Sequence, residues 1–313
     1  MNLLIAYLVS VLGLVIRSKN IQWLCVLTSI VLYLVVTSFF EIGGDYKSLQ
    51  ARADKMNSGM INWSLDLVFL LLSQISMLLK IDVPILYAVT MLGLLPYHKN
   101  KPMITLFALV VTFYFVITGF QRQALAGFIL LTMFRSNNKL IQILGIIISF
   151  LTHSSIILIS AIALTSKKLN SVYRNYLLGV GLFVAIISLS VILEGTFLNH
   201  FIQYYFTDQM QSAGAKLRLV AIIFVYLILC YQNRKDGDLL LNIFEITLIY
   251  AVCLIFSGAT TAGDRVLIFS LITIIFSKTV FLSTEIRLLM AAIPFVIMNL
   301  AWVTLSDQAR VNW

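Results

Sequence analysis

The chain has 313 residues, 60% of them hydrophobic and only 11% charged, with a formal net charge of +9. A soluble domain carries roughly a quarter charged residues, so this composition excludes a water-soluble globule and indicates a polytopic membrane protein. Apolar runs without strict alternation exclude a barrel of strands and require helices. The positive balance does not imply nucleic acid, because the lysines and arginines sit in short clusters between apolar runs, where they set orientation.

In chain order, candidate helices fall at 2–16, 21–40, 63–79, 83–97, 103–120, 123–134, 140–164, 177–193, 217–233, 239–257, 265–282 and 286–305. The first run has no basic residue ahead of it and no small-residue cleavage pattern behind it, so it reads as a retained helix flanked by Arg17 and Lys19. Residues 41–62 then form a polar outer loop. Gly43 and Gly44 permit a tight turn there that aims Asp45 and Tyr46 back at the membrane surface. A carboxylate so placed can act as general base toward a sugar hydroxyl; the alternative is an ordinary turn aspartate. Helix 63–79 carries Asp66, Ser73, Gln74 and Ser76 among its leucines, and is expected to lie along or dip into the outer surface.

The stretch "FQRQALAG" sets Arg122 at the start of a short helix. A guanidinium at an outer helix start can grip a phosphate in bidentate fashion, aided by free backbone N–H groups. The alternative is an arginine snorkelling toward headgroups, and Gln121 and Gln123 beside it favour a polar cavity. In "FLTHSSIIL", a break is expected near His153, which can contact phosphate, orient an acceptor hydroxyl, shuttle a proton, or simply be satisfied within the bundle. The second long outer loop, 194–216, brings Tyr204, Tyr205, Lys216 and Arg218 to the start of the next helix. In "SGATTAGDRVLIF", Asp264 and Arg265 are expected at the outer end of a helix, paired with each other or with the arginine turned to a diphosphate. Cys25, Cys230 and Cys253 lie in apolar segments without metal-ligand spacing and read as small core hydrophobes.

If helix 63–79 does not cross and 140–164 breaks into two short arms, the chain makes about 12 crossings, some of them short. All six basic clusters (Arg17/Lys19, His98/Lys99/Lys101, Arg135/Lys139, Lys167/Lys168/Arg174, Arg234/Lys235 and Arg287) then face the cytoplasm. Arg122, His153, Arg265 and both long loops face outward. The whole of 1–313 is expected to form one integral membrane domain. There is no Gly-rich nucleotide motif, no Cys/His metal spacing and no Ser–His–Asp signature. Outward cations, one carboxylate and one histidine suit glycosyl transfer from a lipid diphosphate, with arginines neutralising the leaving group and no metal required.

The order of these features resembles a known family. "GGDYKSL" is similar to the G-T/G-D-Y motif after the second helix of the EpsG-like branch of Wzy-type polysaccharide repeat-unit polymerases. Arg122, Gln123 and Ala126 match that family's R-Q-x-x-A element, and His153 and Ser155 its later H-x-S-A-L/I element, with Ile156 in place of the alanine. "GDRVLIF" resembles the family's late arginine-bearing helix start. The acidic-Pro element before the outer helix is here "SGMINWSLD", which leaves Asp66 as the substitute.

The resemblance implies a bacterial inner-membrane glycosyltransferase, related in fold to the GT-C-type lipid-phosphosugar enzymes, with its active site facing outward. It would move a growing glycan from undecaprenyl diphosphate to the nonreducing end of a new lipid-linked repeat unit. Arg122 and Arg265 would hold the diphosphate and Arg218 would assist. Asp45 is the expected base and His153 the second choice, while Gln123, Tyr46, Tyr204 and Lys216 would contact substrate. No cofactor is implied. A flippase and a chain-length regulator are the implied protein partners. The rival readings are an O-antigen ligase-like enzyme, a membrane acyltransferase and a polysaccharide flippase or transporter. A ligase would carry a larger outer loop than 194–216, and a transporter internal repeats.

Overall fold

The computed structural model describes residues 2–40, 46–58, 67–117, 120–153, 156, 160–162, 164, 172–192, 214–231 and 238–309. Among them all regular structure is helical. The helices are α1 Asn2–Val15, α2 Lys19–Phe40, α3 Tyr46–Asn57, α4 Leu67–Leu79, α5 Val83–Gly93, α6 Pro102–Ile117, α7 Gln121–Phe134 and α8 Lys139–Thr152. They continue as α9 Val172–Ile192, α10 Ala215–Tyr226 (extended by a π-turn at Leu227–Tyr231), α11 Leu239–Phe256, α12 Thr260–Phe276, α13 Lys278–Leu282 and α14 Glu285–Ala309. Helices α2, α9 and α14, of 22, 21 and 25 residues, reach about 30 Å or more, enough to cross a bilayer core. Helix α11 is both long and apolar enough to do so. Asp45, Asp66, Ser154, Ser155, Tyr204 and Tyr205 lie outside the described residues.

The chain divides into two compact units, residues 1–157 with 283–313, and residues 158–282. In the first, α6 is the central helix. Every residue from Met103 to Phe115 is buried, as expected of a helix that is apolar all round. Helices α1, α2 and α14 pack on it. Rings lock the contacts, Tyr33 against Phe113 at 4.8 Å and Tyr114 against Phe295 at 5.6 Å between centroids. Gly13 allows the close approach of α1, since a Cβ there would stand 2.8 Å from both Cys25 Cβ and Leu106 Cδ1.

Helices α4 and α5 meet at a 113° bend. The bend turns at Lys80, whose φ of 54° is left-handed, with the Ile81 N–H returning to the Ser76 carbonyl at 3.2 Å. Helix α3 occupies part of the stretch expected as an outer loop. It buries Leu49 and Ala53, and Arg52 lies 4.5 Å over the Phe69 ring of α4. Gln50 accepts from the Val83 N–H at 3.2 Å, supplying the start of α5 with a cap that Asp82 does not provide. The polar positions anticipated in α4 divide by face, with Ser73 and Ser76 buried and Gln74 exposed.

In the second unit α11 and α12 form the central hairpin, with α9 packed on α11 and α10 on α12. Gly263 sets the hairpin's closeness: a Cβ there would meet Ile255 Cγ1 at 2.5 Å. Gly179 does the same for α9, where a Cβ would stand 3.0 Å from the Ile246 carbonyl oxygen. Both units turn large apolar side chains outward, among them Leu24, Leu78, Leu140, Leu177, Val220, Phe256 and Ile286. A lipid environment accommodates such faces where water does not. Of the cysteines, Cys230 is buried as expected, whereas Cys25 and Cys253 are only partly covered.

Candidate functional site

In the first unit the candidate residues gather on the α7–α8 hairpin. Four residues join the two 14-residue helices, and each helix is about 20 Å long at about 1.5 Å per residue. The hairpin is closed by polar bonds that the sequence supplies locally. Asn138 caps α8 by accepting from the Leu140 N–H at 2.9 Å, and Gln142 Nε2 donates to the Ser136 carbonyl at 2.6 Å. Gly145 lets the helices touch, since a Cβ there would stand 2.7 Å from Met133 Cβ. With a turn this short and the helices packed together, the start of α7 and the end of α8 lie at the same end of the hairpin. Arg122 and His153 are thereby brought to one end.

Helix α7 begins at Gln121, so Arg122 stands in its first turn, and the N-cap residue Phe120 supplies no side-chain cap. The positive end of the helix dipole favours an anion there. Helix α8 ends at Thr152, and His153 leaves helical conformation with φ −158° and ψ 118°. The expected break near "THSS" is therefore present at His153. Both Arg122 and His153 are half-buried, and Gln123 is buried.

Gln121 is the unusual member. It is fully buried, and among the described residues neither its Oε1 nor its Nε2 has a hydrogen-bond partner. Leaving a buried amide atom unmade costs about 1–3 kcal/mol, and Gln121 leaves two.

In the second unit Arg218 and Asp264 form a buried pair. Arg218 donates from Nε and Nη2 to the two carboxylate oxygens of Asp264, a parallel bidentate arrangement. The backbone makes room for it, because a Cβ at Gly214 would meet the Arg218 Nη1 at 2.8 Å. The pair ties the first turn of α10 to the first turns of α12. Lys216 is exposed beside it. The sequence paired Asp264 with its neighbour Arg265 as one possibility; the structure commits both Asp264 oxygens to Arg218. Arg265 also stands elsewhere than expected. Helix α12 starts at Thr260, so Arg265 lies in its second turn, half-buried, and not at a free helix end.

Sequence reasoning missed Glu245, the lone charged residue in the 18 residues of α11. It is 1% exposed and accepts from Asn175 Nδ2 at 2.7 Å and from the Tyr226 hydroxyl at 2.9 Å. Asn175 also donates to Asn242 Oδ1 at 3.0 Å. A single carboxylate in an otherwise apolar span was the available signal. These bonds join α9, α10 and α11. Among the described residues, no group of three His, Cys, Asp or Glu is arranged to hold a metal ion.

The sequence model of the EpsG family matches residues 22–313. No curated protein and no solved structure matches the chain.

Proposed function

The chain belongs to the EpsG family, whose members are related to Wzy-like polysaccharide polymerases, and from that premise we propose that it polymerises lipid-linked oligosaccharide repeat units. The proposed donor is the growing glycan on undecaprenyl diphosphate, and the acceptor is the nonreducing end of a new lipid-linked repeat unit. The reaction takes place at the outer face of the bacterial inner membrane, on a chain that crosses about 12 times and is related to the GT-C-type enzymes. The observation that carries this reading is the α7–α8 hairpin, which sets Arg122 in the first turn of α7 and His153 at the same end.

In the proposed reaction an acceptor hydroxyl oxygen attacks C1 of the sugar attached to the donor diphosphate. The C1–O bond to phosphate breaks and its electron pair leaves with undecaprenyl diphosphate. Arg122 and Arg265 are the guanidinium groups we assign to the charge that develops there. The hydroxyl proton passes to Asp45 or, in its place, to His153. Arg218 contributes by positioning, through its pair with Asp264, while Gln123, Tyr46, Tyr204 and Lys216 are assigned to substrate contact. No cofactor or metal takes part in the steps proposed.

Deleting the chain from its host and analysing glycolipids tests the assignment. Loss of a polymerase leaves single repeat units on the carrier and on the surface core. Long chains stranded on the carrier would make it a ligase, and units retained facing the cytoplasm would make it a flippase.

A further inference from the structure

The Gln121 amide is placed so that a partner from outside the chain would meet both its polar atoms. It lies at the first position of α7, wholly buried, with both amide atoms lacking a hydrogen-bond partner among the described residues. A leucine or methionine would fill the same volume without leaving polar atoms unmet. The two atoms ask for different things. Oε1 accepts, and Nε2 donates twice. A fully ionised diphosphate can only accept, so it would leave Oε1 unmet. A hydroxyl or an acetamido group both donates and accepts, and meets both atoms at once.

Resting on the polymerase reading above, we propose that Gln121 is the contact for the sugar ring joined directly to the donor diphosphate. It would bond that ring's hydroxyl or acetamido substituent. Adjacent residues on a helix do not share a face. Arg122 and Gln121 therefore point apart from neighbouring Cα atoms about 3.8 Å apart. One side chain takes the phosphate and the other takes the group attached to it. Arg122 in the first turn of α7 supplies the anion's half of the site, and the Gln121 amide supplies the neutral half. Gln121 is accordingly a specificity-determining residue that distinguishes a glycosylated carrier from the bare one. Its acceptance of product would be weaker, since undecaprenyl diphosphate without a sugar offers no donor to Gln121 Oε1.

The experiment uses the full chain in lipid nanodiscs. Affinities are measured for undecaprenyl diphosphate and for undecaprenyl diphosphate bearing one N-acetylhexosamine. The native chain is expected to prefer the sugar-bearing lipid by about tenfold. Gln121→Met should bring the two affinities to near parity, leave the bare lipid's affinity unchanged, and keep or raise the thermal midpoint. Gln121→Glu keeps an acceptor and loses the donors, so it should lose the preference while weakening both lipids through added negative charge. A Gln121→Met protein that retains the full preference, or a native chain that shows none, overturns the proposal and leaves buried water as the amide's partner. Those results leave the polymerase reading standing. A native chain that binds neither lipid and builds no polymer removes that reading, and this inference with it.

Discussion

Removing the Asp264 carboxylate decides whether Arg218 anchors helices or serves substrate. Asp264 is 2% and Arg218 8% exposed, and two parallel hydrogen bonds join them. Asp264→Ala leaves the guanidinium buried without its counter-charge, which costs about 3–5 kcal/mol. The thermal midpoint of the protein in detergent should fall by on the order of 10 °C. The double variant Arg218→Met/Asp264→Leu replaces the pair by apolar volume, and such exchanges are often neutral or stabilising by about 1–4 kcal/mol. It should therefore recover the native midpoint to within a few degrees and restore the polysaccharide ladder that the single variant loses. The assay is the midpoint together with ladder length in a deletion strain. A stable double variant that makes no polymer would refute the reasoning, because Arg218 would then be supplying charge to the substrate.

Arg122→Ala should abolish long polymer while the protein inserts and melts normally; a normal ladder from a well-expressed variant would remove Arg122 from the site. His153→Ala should do the same if it handles the acceptor proton, and a shift of the pH profile in Asp45→Asn but not in His153→Ala would assign the base to Asp45. Glu245→Leu removes one acceptor each from the Asn175 amide and the Tyr226 hydroxyl in the second unit, at a cost of about 1–3 kcal/mol in all, and is expected to lower the midpoint more than Glu245→Gln does. Gly263→Ala forces a Cβ against Ile255 and should destabilise by about 1–3 kcal/mol, seen as earlier melting of the detergent-solubilised chain.

The apolar helices were legible as apolar runs, and α1, α2 and α11 begin and end close to where the runs do. Helix α3 was not, because "YKSLQARADKMN" is polar and reads as a loop. Its helicity becomes evident through tertiary partners, with Leu49 and Ala53 buried and Arg52 on Phe69. The start of α12 was misplaced because "SGATTAGD" is rich in glycine and threonine. The turn is over by Gly258, at φ 96°, and the chain is helical again from Thr260. That shift moved Arg265 from a helix end into a second turn. The break at His153 and the cation at Arg122 were readable from local chemistry. The Arg218–Asp264 pair was not, since it joins residues 46 apart that nothing in the intervening sequence connects. Gln121 was visible as a polar neighbour, but its burial without an amide partner among the described residues is a property of packing alone.

The central claim meets its most direct test in reconstitution. The purified chain, in nanodiscs with the host's undecaprenyl-diphosphate-linked repeat unit as sole substrate, should yield a ladder growing one repeat at a time, with one undecaprenyl diphosphate released per step. Arg122→Ala, folded to the same midpoint, should yield the single repeat only. A folded native chain that releases no undecaprenyl diphosphate and extends nothing, or a ladder undiminished by Arg122→Ala, would contradict the account.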